Sequence, residues 1–143
     1  MSIDIHTHPK FAGRIDRARL KRIAKKTFRA EKARAALTIY ITTDAEIRKL
    51  NRQFHATDSA TDVLAFSAEP RYGERGYLGD VIISYDTAKR QACDAGWRIA
   101  DELDLLMVHG ILHLLGYDDV TPRKRARMWK RQAEILGRVA GND

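Results

Sequence analysis

His109 and His113 stand four residues apart in the stretch His109-Gly110-Ile111-Leu112-His113-Leu114-Leu115-Gly116-Tyr117-Asp118-Asp119. On a helix, residues at that spacing share a face, with Cβ atoms about 5–6 Å apart, so two imidazoles converge on one ion. The pairing is a standard zinc geometry. Gly116 then stops the helix and lets the chain reverse, so that a third ligand arrives from Asp118 or Asp119 and a fourth position stays open for water, as catalytic zinc requires. The competing reading is a pair of histidines hydrogen-bonded inside a core, because Leu105, Leu106, Val108, Ile111, Leu112 and Leu115 make the same helix strongly apolar. The glycine stop followed by tandem carboxylates favours the metal.

Two other chemistries use similar residues and are excluded. A zinc protease of the zincin type needs a glutamate base directly after the first histidine, and here Gly110 fills that position. Asp4-Ile5-His6-Thr7-His8 imitates the first strand of a barrel amidohydrolase, but such barrels need about 250 residues and this chain has 143.

The histidine helix must be held by other elements, and the apolar periodicity supplies them. Residues 3–5 open with a short strand. Leu20, Ile23, Ala24, Thr27 and Phe28 recur at helical spacing within residues 14–30, which predicts an amphipathic helix with a cationic outside. Leu37, Ile39 and Ile41 alternate with Thr38, Tyr40 and Thr42 as in a half-buried strand. Thr43 and Glu46 have capping-box spacing, and Ile47, Leu50 and Phe54 give the next helix its apolar stripe. Residues 62–66 and 78–83 read as strands joined by a polar loop over 70–76. A helix over 84–95 stops at Gly96, the histidine helix runs over 100–115, and Thr121-Pro122 announces a last helix. The expected fold is a small α+β sandwich in one domain over residues 1–143, with about four strands in a mixed sheet, about five helices and the metal site at a helix C-terminus.

Composition bounds the partners. Hydrophobic residues make up 44% and charged residues 31% of the chain, the balance of an ordinary globular protein. No apolar run approaches the roughly 18 residues that cross a bilayer, and the start MSIDIHTHPK lacks a secretory pattern. The single cysteine, Cys93, allows no intramolecular disulfide and reads as a small buried packing residue. These features lead to an expectation of the cytoplasm and no membrane. The net charge of +7 is clustered around Arg14, Arg17, Arg19, Lys21, Arg22 and Lys25 in one segment and over Arg123 to Arg131 in another. Such fields attract polyanions by releasing condensed counterions. Arg14, Lys21, Arg22, Lys25 and Arg52 are the candidate nucleic-acid contacts.

The string HGILHLLGYDD closely resembles the HGxLHLxGYDH signature of the YbeY ribosomal RNA maturation factors. The segment from Leu50 to Phe66, LNRQFHATDSATDVLAF, resembles the family's LNxxYRxxDxPTDVLSF, and Leu78-Gly79-Asp80-Val81-Ile82-Ile83 resembles its LGDIxI strand. The resemblance spans roughly residues 50–119 in family order. It implies a metal-dependent, single-strand-specific endoribonuclease acting in maturation and quality control of small-subunit (16S) ribosomal RNA. It also implies one Zn²⁺ held by His109, His113 and Asp119, and the small ribosomal subunit, a ribosomal protein and the GTPase Era as partners. Asp119 stands where the family usually has a third histidine, and His55 where it usually has an arginine that contacts phosphate or substrate. His55, Thr61 and Asp62 are the catalytic candidates, although Thr61 and Asp62 also suit a turn that caps a strand. Asp118 reads as a partner to a histidine or a spare ligand. The reading from a different class is a non-enzymatic RNA-binding assembly factor whose zinc is structural.

Overall fold

A computed structural model describes residues 2–55, 57–68 and 76–137. Four strands, β1 (Ser2–Thr7), β2 (Ala36–Thr42), β3 (Val63–Ser67) and β4 (Tyr77–Ser84), form one mixed sheet in the order β1-β2-β4-β3. β1, β2 and β4 run parallel, with Ile5 opposite Ile39 and Ile39 opposite Val81, while β3 pairs antiparallel to β4, with Ala65 opposite Val81. The α+β class and the mixed sheet are as the residue pattern predicts. Of the expected polar loop over 70–76, only Gly76 lies inside the described residues.

Alternation along the strands sends Ile3, Leu37, Ile39, Ile41, Val81 and Ile83 to one face, where they bury against Leu20, Ala24 and Phe28 of α1 (Arg17–Ala30) and Leu103, Met107 and Ile111 of α4 (Ile99–Leu114). Helix α1 starts three residues later than its charge pattern suggests, because the Asp16 carboxylate accepts the Arg19 amide at 3.0 Å and caps it. Helix α2 (Asp44–His55) begins at Thr43, whose hydroxyl accepts the Glu46 amide. Helices α3 (Tyr85–Ala95) and α5 (Pro122–Leu136) complete the set, α5 opening with Thr121 as its cap and Pro122 in the first turn.

Two apolar assignments change. Phe54, expected on the buried stripe of α2, is 59% exposed, because the helix turns Ile47 and Asn51 inward instead. Cys93, expected to be buried, is exposed on the outer side of α3.

Helix α4 is the central element. A helix apolar on nearly all sides has to be enclosed, and Glu102 through Val108, Gly110, Ile111 and Leu112 are all buried. A Cβ on Gly110 would lie 2.6 Å from Cγ1 of Val81, so the absence of a side chain lets α4 settle onto the sheet. That contact sets the height of His109 and His113 above the strands. It also means that a glutamate at 110 would point into the sheet, which accords with the exclusion of zincin chemistry.

Candidate metal centre

His109 and His113 lie on the last turns of α4, with Nε2 atoms 3.1 Å apart and rings nearly perpendicular. In a tetrahedral site with Zn–N bonds of about 2.0–2.1 Å, two ligand atoms sit about 3.3 Å apart. The imidazoles therefore already hold close to the spacing an ion requires. Gly116, at φ 107°, takes a left-handed conformation that residues with a Cβ rarely adopt, and the chain folds back over the helix end. Among the described residues, one cluster of ligand-type side chains has the closeness a metal needs. It is His109, His113 and Asp119, with donor atoms all within 4.8 Å of one another.

The choice between the two carboxylates follows from the turn. Asp118 accepts the Val120 amide at 3.1 Å and pairs with Lys124 at 3.5 Å, so it shapes the approach to α5. Asp119 is thereby carried to the histidines. Two imidazole nitrogens and one carboxylate suit zinc and leave a coordination position for water or substrate.

Gln132 went unnoticed at the level of sequence. This α5 residue is 1% exposed, and its Oε1 lies 2.6 Å from Nδ1 of His109. A carbonyl oxygen only accepts, so Nδ1 carries the proton and the Nε2 lone pair faces the cluster. Burial pushes the His109 pKa down, against the pull of the Gln132 bond, which keeps the ring neutral as a ligand must be. The only available signal was a glutamine on the apolar stripe of α5, between Met128 and Ile135. Replacing Gln132 with Leu removes the acceptor at similar volume and is expected to weaken zinc binding about 10–100-fold. Gln132→Glu restores an acceptor and should recover most of it. Competition against a chromophoric chelator measures both.

Two clefts open at the cluster. One, of about 360 Å³, is lined by His109, Asp119, Asp62, Gln91, Glu102 and Trp129. The other, of about 380 Å³, takes in His113, His55, Asn51 and the strand β3. Asp62 and His55 thus reach the cluster from two sides, and Thr61 is tied to Asp62 by a 3.4 Å hydrogen bond. Arg14, Lys21, Arg22, Lys25 and Arg52 line neither cleft. Lys21 instead lies beside Asp4 and Ile5 of β1, at the sheet edge opposite β3. Of the two basic segments, the C-terminal one comes nearer, since Arg125 donates to the Asp119 carbonyl at 3.5 Å. Arg19 and Arg131 bind Asp104 and Glu31 respectively, so they are structural members of the charge clusters.

Glu102 is a second feature that sequence missed. It is 4% exposed, and its two oxygens accept from Trp97 Nε1 and Gln91 Nε2, each at 3.0 Å. Gln91 Nε2 also lies 3.4 Å from Asp62, bridging the two carboxylates. Burial raises the Glu102 pKa above its ordinary 4.5, outweighing these hydrogen bonds. The folded chain then holds this proton more tightly than the unfolded chain does. Its contribution to stability is complete below pH 4.5 and is lost as pH rises through the folded value. Urea unfolding of metal-free protein between pH 4 and 8 should show a shallower decline in Glu102→Gln than in the parent; parallel curves would assign the decline to other groups.

The sequence model of the family described as endoribonuclease YbeY matches residues 6–140. The chain belongs to the YbeY family. It is 48% identical over 101 residues to an endoribonuclease YbeY of Anaeromyxobacter dehalogenans, an alignment covering 71% of this chain and 52% of that protein. The chain thus spans about half the length of that curated relative. A Roseiflexus castenholzii YbeY is 35% identical over 144 residues, covering 94% of this chain and 91% of the relative. The solution structure of TM1509 from Thermotoga maritima superposes with a TM-score of 0.68 at 25% identity, over 94% of this chain and 86% of that one. Among the described residues of this YbeY member, no helix is long and apolar enough to cross a membrane.

Proposed function

We propose that this chain is a metal-dependent, single-strand-specific endoribonuclease of small-subunit ribosomal RNA maturation and quality control, with one Zn²⁺ held by His109, His113 and Asp119. The observation that carries the reading is the convergence of three ligand groups, two of them 3.1 Å apart, where two clefts meet in a member of the YbeY family. A three-donor set leaves room for substrate, which favours this reading over a closed structural zinc.

When bound, such an ion supplies a Lewis acid for a phosphoryl oxygen and lowers the pKa of water. The chain's own groups do the rest. Gln132 holds His109 in the ligating tautomer, and Gln91 bridges Asp62 to the buried Glu102. Asp62 is thereby placed in the same cleft as His109 and Asp119, where its carboxylate can take a proton from a nucleophile. The exposed cations of α5, Arg125 among them, hold neighbouring phosphates beside the cluster. The small ribosomal subunit, with a ribosomal protein and Era, is the proposed setting, in the cytoplasm.

Elemental analysis, combined with cleavage of single-stranded and duplex RNA with and without chelator, tests the proposal. Single-strand cleavage that stops in chelator and returns with zinc is expected; undiminished cleavage by metal-free protein would sink it. The carboxylate ligand adds a finer expectation. Two histidines and Asp119 leave a formal +1 at the site, where three histidines leave +2, so the parent should accept Mn²⁺ more readily relative to Zn²⁺ than Asp119→His does. Competitive metal titration of the two proteins reads the difference, and equal preference would contradict the charge argument.

A further inference from the structure

Aromatic side chains border both clefts at the metal cluster. Trp129 lines the cleft of His109 and Asp119, is 43% exposed, and has its ring centroid 6.2 Å from that of His109. At the His113 cleft, His55 stacks on Phe66 with centroids 5.3 Å apart and planes 21° from parallel, while Phe54 meets Phe66 edge-on at 5.6 Å. Phe54 and Trp129 are two of the three large hydrophobic side chains among the described residues that stay exposed. Trp129 lies in the first cleft itself, whereas Phe54 is joined to the second through Phe66 and the cleft-lining His55.

We infer that these are two base-stacking platforms, and that an unpaired RNA strand crosses the cluster with one base on Trp129 and another on the Phe54–His55–Phe66 group. The inference deepens the proposed function and rests on its RNA reading. Stacking on an aromatic face accepts any base but requires that the base be unpaired. Positive charge attracts any polyanion, duplex or single-stranded. The two together give a physical origin for single-strand preference, because a duplex keeps its bases stacked inside and offers the platforms nothing. His55 acquires a role here that an arginine would fill differently, since its ring continues the stack begun by Phe66.

The test uses the full chain in chelator, so that the strand stays intact, with a fluorescent single-stranded oligoadenylate, an abasic strand of equal length and a duplex of equal length. Trp129→Ala and Phe54→Ala should each weaken binding of the oligoadenylate about tenfold, and the double variant should weaken it further. Trp129→Phe and Phe54→Tyr should restore it, and all variants should bind the abasic strand and the duplex as the parent does. Both alanine sites are exposed, and melting curves confirm that each variant is folded. Alanine variants that bind oligoadenylate like the parent, or a parent that prefers it no more than the abasic strand, would overturn the platforms while leaving the nuclease reading standing. A parent that binds no RNA would remove both.

Discussion

His109→Ala is expected to purify without stoichiometric zinc and to cleave single-stranded RNA at least about a thousandfold more slowly than the parent, while binding the same RNA within about threefold. The size follows from what the ion contributes, since several kcal/mol of charge stabilisation corresponds to roughly a thousandfold at 1.36 kcal/mol per factor of ten. The retained affinity follows from geometry. His109 is half-buried and aimed at His113 and Gln132, whereas phosphate contacts depend on exposed cations. Removing the ring also takes the partner from Gln132 Oε1, so a loss of about 1–3 kcal/mol in stability should accompany it. Elemental analysis, a melting curve, single-turnover cleavage and equilibrium binding separate these effects. Wild-type cleavage by a folded, zinc-free variant would refute the assignment of the centre.

Arg19→Met should cost about 3–5 kcal/mol of folding free energy, or on the order of 10 °C in melting temperature for a chain of this size. The Arg19 guanidinium grips the Asp104 carboxylate with Nε at 3.0 Å and Nη2 at 2.6 Å, and its Nη2 also reaches Asp101 at 3.1 Å. Asp104 is fully buried on α4, so removing the guanidinium takes two charge-assisted hydrogen bonds from a carboxylate in the interior. Methionine keeps the apolar stem of the arginine, which isolates the charge from packing. Adding Asp104→Leu should return most of the loss, because a well-packed apolar pair often equals or exceeds a buried ion pair. Denaturant unfolding of the single and double variants measures the coupling, and a single variant within about 1 kcal/mol of the parent would show the pair to be worth no more than a surface one.

This ion pair illustrates how sequence can mislead about function. Arg19 lies in a run of cations that resembles an electrostatic footprint, yet its partners are 82 and 85 residues away on α4. Charge patterning counts cations without showing which of them already have partners. Position is equally invisible to a charge count: Lys21, which sequence offers as an RNA contact, lies beside Asp4 and Ile5 of β1 at the sheet edge opposite β3. The histidine pair, by contrast, was legible because both ligands sit on one helix, where spacing alone dictates direction. Spacing alone left Asp119 as one of two carboxylates; the resemblance singled it out, and the turn that takes up Asp118 supplies the physical reason.

Local chemistry in the sequence determined the elements. Alternation specified the strands, Thr43 and Thr121 specified two helix starts, and an almost wholly apolar α4 could only be a central helix. It also determined that two imidazoles would meet and that a carboxylate would follow a glycine stop. Tertiary structure alone decided which groups surround them. Gln132 arrives from α5, Glu102 and Gln91 meet across α3 and α4, and Phe54 turns outward while His55 closes on Phe66. These pairings depend on how helices pack against a sheet. Packing is set by the sum of many long-range contacts, and no short window of residues contains that sum.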